Sequence, residues 1–245
     1  MTSDVSTALA LGVASGLAVG ALFPYLLTIA PKLRQRPRPL WMLIVSQSVR
    51  AVVVLSALAW CGLRLGIPLG LDAPLLRSWV SGRQPAIPFE SMAIALGWGA
   101  GAAVLILILD RQFFFRTLAP AVVDALPRPA RWKGLLASFY GAIVEEILSR
   151  LFLMTVLVWI LLKVPGSNAS VALALSCLLS ALAFAVGHLP AAAQTTPLSR
   201  PVITRILVLN TIAGIVFGAL FAKYGLEHAM AAHFAADLVL HVVAN

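Results

Sequence analysis

Gly141-Ala-Ile-Val-Glu145-Glu146-Ile-Leu-Ser-Arg150 lies inside an apolar run that extends over 132–162. The length of that run suits a membrane-spanning helix, which needs about 20 largely apolar residues. Its two adjacent carboxylates do not suit one, because an acid at membrane depth is costly unless it has partners. The chain has only 9 Asp and Glu in 245 residues, and it sets two of them side by side where they cost most. An ionisable residue at that depth marks a functional site by default.

The rest of the chain agrees with a membrane setting. Hydrophobic residues make up 61% and charged residues 11%, with a mean hydropathy of +0.97. Soluble domains average about 45–50% apolar and about 25% charged residues. Helices satisfy their own backbone polar groups in hydrocarbon, and the short alternating strands of a barrel do not appear. The sequence therefore predicts an all-α, polytopic transmembrane bundle of about 7–8 helices in the lipid bilayer. It reads as a single integral membrane domain over 1–245, with scaffold helices in 1–130 and the polar groups in 131–245. The net charge of +9 does not indicate a nucleic-acid partner, since cationic cytoplasmic loops give the same excess. Cys61 and Cys177 both fall in apolar segments and form neither a disulfide framework nor a metal-ligand spacing.

Seven segments are long enough to span, at approximately 7–30, 40–64, 91–110, 132–162, 168–188, 202–223 and 226–244. An eighth, interfacial helix is expected near 111–125, around Phe113, Phe114 and Phe115 with Arg111 and Arg116. The first Lys or Arg is Lys32, after the first span, so the basic start of a signal peptide is missing. The segments 31–38, 111–133 and 189–205 hold 11 of the 18 basic residues. That bias predicts an outside N-terminus and a cytoplasmic C-terminus. The short loops suggest a bacterial inner membrane. The Pro- and Gly-rich loop 65–90 is expected along the outer interface. Small residues four apart, Ala137/Gly141 and Gly214/Gly218, allow close helix packing.

The polar residues of the second half form a pattern. Glu146 and Arg150 are i, i+4 with the acid first, a favourable order on one helix face. Glu145 lies about 100° away around the helix, so it faces elsewhere. The expected division is Glu146 paired with Arg150 and Glu145 facing a cavity; the alternative is that Arg150 neutralises both acids. Phe184 and His188 share a face at the end of the fifth span. In the last span His233, Asp237 and His241 form one stripe, and the pair His233/Asp237 can hydrogen-bond, hold a water or bind a metal. His228 reads as interfacial and His241 as ambiguous.

Glu145-Glu146-x-x-x-Arg150, Phe184-x-x-x-His188 and His233-x-x-x-Asp237, in that order, resemble the three motifs of the CAAX-protease and bacteriocin-processing (CPBP, or ABI) intramembrane proteases. These include the prenyl proteases that trim CAAX tails. The resemblance covers about 137–240. It implies Glu145 as the catalytic glutamate, activating a water with His188. It implies Glu146 and Arg150 as a supporting pair and Phe184 as a packing residue. His233 and Asp237 would stabilise the oxyanion. The last position is often Asn in the family. An ionised Asp only accepts hydrogen bonds, which leaves the role of Asp237 open.

The implied activity is an intramembrane endopeptidase acting on a membrane-associated protein or lipidated peptide, with no cofactor required. A zinc version would use His188, His233, Glu145 and Asp237 as ligands. Two other readings fit the residues: a non-proteolytic immunity or scaffold protein that retains the motif, and a small transporter. The depths of the residues set a constraint. Glu145 is about 20 Å along its helix from Arg131, whereas His188 sits near the end of its own. They meet only if the fourth helix begins well inside the cytoplasm or the fifth continues past His188.

Overall fold

The computed structural model describes residues 3–35, 39–118, 120–124 and 129–244, and these are almost wholly helical, with no strand among them. Helix α1 (Ser3–Ile29) packs antiparallel on α2 (Leu40–Gly66). Gly12 faces Ser56 and Gly16 faces Val52, so the two backbones approach without intervening side chains. After a short α3 (Pro74–Val80), α4 (Phe89–Leu109) runs on through a π-helical turn, Asp110–Phe114, and a 3₁₀ turn, Phe115–Thr117. The interfacial helix expected over 111–125 is thus divided. Residues 110–117 continue α4, and a separate α5 (Pro120–Asp124) begins with proline at its first position, where the missing N–H is not needed.

The run 131–161 holds the fold together. It begins as α6 (Arg131–Tyr140), passes through two π-helical stretches, Gly141–Glu145 and Ile147–Met154, and ends as α7 (Thr155–Leu161). Then come α8 (Ala169–Gly187), a short α9 (Leu189–Ala192), α10 (Arg200–Tyr224) and α11 (Leu226–Leu238), which also ends in a π-helical turn, Val239–Val243. Five helical stretches are long and apolar enough to cross a membrane: Ser3–Ile29, Leu40–Leu69, Phe89–Thr117, Ala169–Ala192 and Arg200–Tyr224. The chain is an integral membrane protein. The other two expected spans, 132–162 and 226–244, are present as helices but are broken by π turns, and they carry the polar motifs. Such turns recur at functional sites, because one extra residue per turn re-aims the side chains that follow.

Small residues set the close crossings. Gly62 lies against the carbonyl of Leu151, Gly214 against Ala181, and Gly218 against Cys177, whose thiol is free. Gly99 of α4 lies against the backbone of Ala232 in α11. The loop 67–88 is tied down on the far side from the polar motifs' cavity. Glu227 accepts from the Leu76 N–H at 2.8 Å, the Leu226 N–H donates to the Asp72 carbonyl at 2.9 Å, and Arg77 pairs with Asp72 at 2.6 Å. His228, read as interfacial, is buried within the bundle, stacked on Tyr224 and 2.9 Å from Ser91 Oγ, where α11 packs on α4 and α10.

A methyl group at Gly99 has no room beside Ala232, whereas Gly101 faces open space. Overpacking of this kind costs about 1–3 kcal/mol. Gly99→Ala is therefore expected to lower the melting temperature in detergent, and Gly101→Ala to leave it unchanged or raise it slightly.

Candidate active site

Glu145 sits at the end of the first π turn and Glu146 follows it directly, so the two acids point apart. Glu146 is fully buried with Arg150, at 3.3 Å between Oε2 and Nε. Glu145 is partly exposed and lines a cavity of about 820 Å³. The expected division between the two acids is what the chain adopts.

The Glu146–Arg150 pair has a third member. His233, from α11, places Nδ1 2.8 Å from Glu146 Oε1. A carboxylate oxygen accepts, so Nδ1–H donates, and Nε2 is turned toward the cavity. Phe217 stacks on the His233 ring with centroids 4.5 Å apart, and Phe184 meets it edge-on at 5.8 Å. The Arg150 guanidinium lies 5.0 Å from the Phe184 ring and 5.9 Å from Phe217. Arg150 thus sits between two aromatic faces that favour its charge.

His188 caps the end of α8. Its Nδ1 is 2.8 Å from the Phe184 carbonyl oxygen, which can only accept. Nδ1 therefore carries the proton, and in the neutral ring Nε2 is a bare acceptor. Phe184 also packs edge-on against this ring at 4.6 Å. Both Nε2 atoms converge on one oxygen. Glu145 Oε2 is 4.0 Å from His188 Nε2 and 3.8 Å from His233 Nε2. These separations are too long for direct hydrogen bonds and suit a water held between them. His188 and Glu145 do meet, and the helical stretch that carries His188 continues past it to Ala192.

Asp237 faces the same cavity with Oδ1 3.8 Å from His233 Nε2 and 3.7 Å from His241 Nε2. The stripe His233, Asp237, His241 therefore forms a row, and Tyr25 of α1 closes it edge-on against His241 at 6.2 Å. Gly141 makes room for the row, since a Cβ there would stand 2.7 Å from Asp237 Oδ2 and 2.8 Å from His233 Nε2. As placed, no three or more His, Cys, Asp or Glu among the described residues form a set that could hold a metal ion.

Several cavity residues carried no signal of their own in the sequence. Phe217 looked like one apolar residue among many. Arg205, counted only as a loop charge, lies within α10 and forms a bidentate pair with Asp110 at 2.6 and 2.7 Å in the cavity wall. Tyr25 and Asp110 come from the first half, which thus supplies walls to the site.

The comparisons with known proteins come down on the same region. Residues 127–239 match the family model described as type II CAAX prenyl endopeptidase Rce1-like. This segment belongs to the CAAX-protease family. The matched residues include Glu145, Glu146, Arg150, Phe184, His188, His233 and Asp237, while His241 lies just beyond them. No curated protein and no solved structure gives a significant match to the chain. The match over 127–239 supports a CAAX-type endopeptidase at the level of family.

Removing Arg150 leaves Glu146 buried with only His233 beside it. Breaking a buried pair costs about 3–5 kcal/mol. Arg150→Met is expected to lose that much stability on denaturation in detergent, and a second change, Glu146→Gln, to restore a good part of it.

Proposed function

We propose that the protein is a glutamate-dependent intramembrane endopeptidase. It hydrolyses a peptide bond near the C-terminus of a membrane-associated, lipidated protein. One observation carries the reading: Glu145 Oε2 and the Nε2 atoms of His188 and His233 converge within 3.8–4.0 Å at the wall of a large cavity.

The reaction follows from those groups. A water between Glu145 and His188 gives a proton to Glu145 as its oxygen attacks the scissile carbonyl carbon. His188 Nε2 accepts the water's second hydrogen and aims its lone pair. The carbonyl electron pair moves onto oxygen. His233, in its doubly protonated form, donates Nε2–H to that oxyanion, with Glu146 holding the opposite side of the ring. Collapse of the intermediate breaks the C–N bond, and the proton on Glu145 passes to the leaving amine. Asp237 acts as an acceptor in this scheme. At 3.8 Å from His233 Nε2 and 3.7 Å from His241 Nε2 it makes no direct hydrogen bond to either ring, and its charge orients both rather than donating as an amide would.

The substrate approaches within the bilayer. The cavity is lined by Leu22, Leu26 and Ile29 of α1 and by Leu148 and Leu153, which suits a chain carrying a lipid. The bias of basic loops supports an outside N-terminus, a cytoplasmic C-terminus and a cytoplasmic entrance to the site; the short loops support a bacterial inner membrane. No metal takes part in the proposed steps.

Glu145→Gln keeps the shape of the side chain and removes the base, which contributes about 10²–10⁴-fold in such sites. Cleavage of a lipidated peptide by the purified protein should fall at least that far, with the melting temperature retained. Wild-type rates in Glu145→Gln would defeat the reading. Metal analysis of the same preparation should give substoichiometric zinc and activity resistant to chelators. Stoichiometric zinc whose removal stops cleavage would replace the metal-free steps. Retention of a cellular effect without any cleavage would favour the immunity or scaffold role.

A further inference from the structure

Arg50 lies inside α2 and is exposed on the outside of the bundle, away from the active-site cavity. α2 is an edge helix, packed on α1 and on the run 147–161. Only 17% of its span is buried, the least of the five spanning stretches. Its depth can be read from two exposed tryptophans, Trp41 and Trp60, which are the residues that gather at membrane interfaces. They stand about 28 Å apart along the helix, close to the thickness of a hydrocarbon core of about 30 Å. Arg50 is midway, about 14 Å from either. A helical side chain leans toward the N-terminus, here toward Trp41, but that distance is longer than an arginine side chain.

A guanidinium at mid-depth on a lipid-facing surface costs about 2.5–3.5 kcal/mol. Within the chain nothing offsets that cost, since Arg50 has no hydrogen bond, ion pair or ring contact among the described residues. Gln47, one turn before it, is exposed and equally unpartnered. Together they present amide and guanidinium N–H donors on one face. The surface around them is that of a helix contact. Ser46, Arg50, Val53 and Ala57 fall on one stripe at i, i+4, i+7 and i+11, and all are exposed. Between Met42 and Trp60 every large hydrophobic exposed on α2 is a valine, whereas α8 shows Leu175, Leu178, Leu179 and Leu182 to the outside. Short side chains let a second backbone come close, as at helix contacts within membranes.

We propose that this face of α2 docks a transmembrane helix of another membrane protein, one that carries a carboxylate near its midpoint to pair with Arg50. A carboxylate is the group that accepts from the guanidinium fork and neutralises it. A second copy using the same face would set Arg50 against Arg50. The chain also has no exposed acid at mid-span among the described residues. Asp4, Glu90 and Glu227 lie in the first turns of their helices, and Glu145 and Asp237 face the cavity.

The test uses the full-length protein in phosphatidylcholine vesicles with synthetic Leu/Ala transmembrane peptides that carry Glu or Leu at the midpoint. Association is read by energy transfer between labelled protein and labelled peptide. The Glu peptide should bind about five- to thirtyfold more tightly than the Leu peptide, the span of a polar contact between membrane helices. Arg50→Leu should remove the difference while keeping the melting temperature. Arg50→Glu should move the preference to a peptide with Arg at its midpoint. Equal binding of both peptides by the wild-type protein, or a preference that survives in Arg50→Leu, would overturn the proposal. Enrichment of spin-labelled phosphatidylglycerol around the wild type but not Arg50→Leu, with no peptide preference, would overturn it in favour of a lipid headgroup. Self-association abolished by Arg50→Leu, again with no peptide preference, would overturn it in favour of a second copy.

Discussion

The buried contact between Glu146 and Arg150, closed by His233, is the constraint from which the rest follows. Two full charges taken out of water are expensive, and their attraction offsets that cost only with good geometry and further partners. Here the partners are the imidazole N–H on one side and two aromatic faces on the other. Each belongs to a different helix: Glu146 and Arg150 to the run from Arg131, Phe184 to α8, Phe217 to α10, and His233 to α11. The ion pair thus fixes four helices at one depth. It also fixes the tautomer of His233, and hence which nitrogen faces the cavity.

Backbone geometry makes the contact reachable. The π turns at Gly141–Glu145 and Ile147–Met154 let one helix send Glu145 to the cavity and Glu146 to the interior. Gly141 supplies the missing volume beside His233 and Asp237, and Gly99 lets α11 lie close on α4. These are the positions where the bundle exchanges packing for access to polar groups. The rest of the core is ordinary aliphatic contact among α1, α2, α4 and α10.

Much of this was legible in the chain and some was not. Composition alone announced membrane helices, and the i, i+4 spacing of Glu146 and Arg150 announced their pairing. The stripe of His233, Asp237 and His241 could be read from period, although not the choice of His241 as a partner of Asp237. The third partner of the ion pair was not readable, since nothing in sequence ties residue 146 to residue 233. Arg205 was misplaced for a related reason. A cation near a proline-rich loop looks like a loop charge until Asp110, 95 residues earlier, is seen to hold it. His228 looked interfacial because its neighbours in space, Tyr224 aside, lie on a distant helix.

The account stands on a water activated directly by Glu145, with no covalent intermediate. A single turnover in ¹⁸O-water, with enzyme in excess over a lipidated peptide, examines that step. Direct attack predicts one ¹⁸O in the new carboxylate of the product at the first turnover and none in Glu145. Label found in the Glu145 side chain, or a trapped peptide–enzyme adduct, would contradict it by showing that the carboxylate itself attacked the substrate.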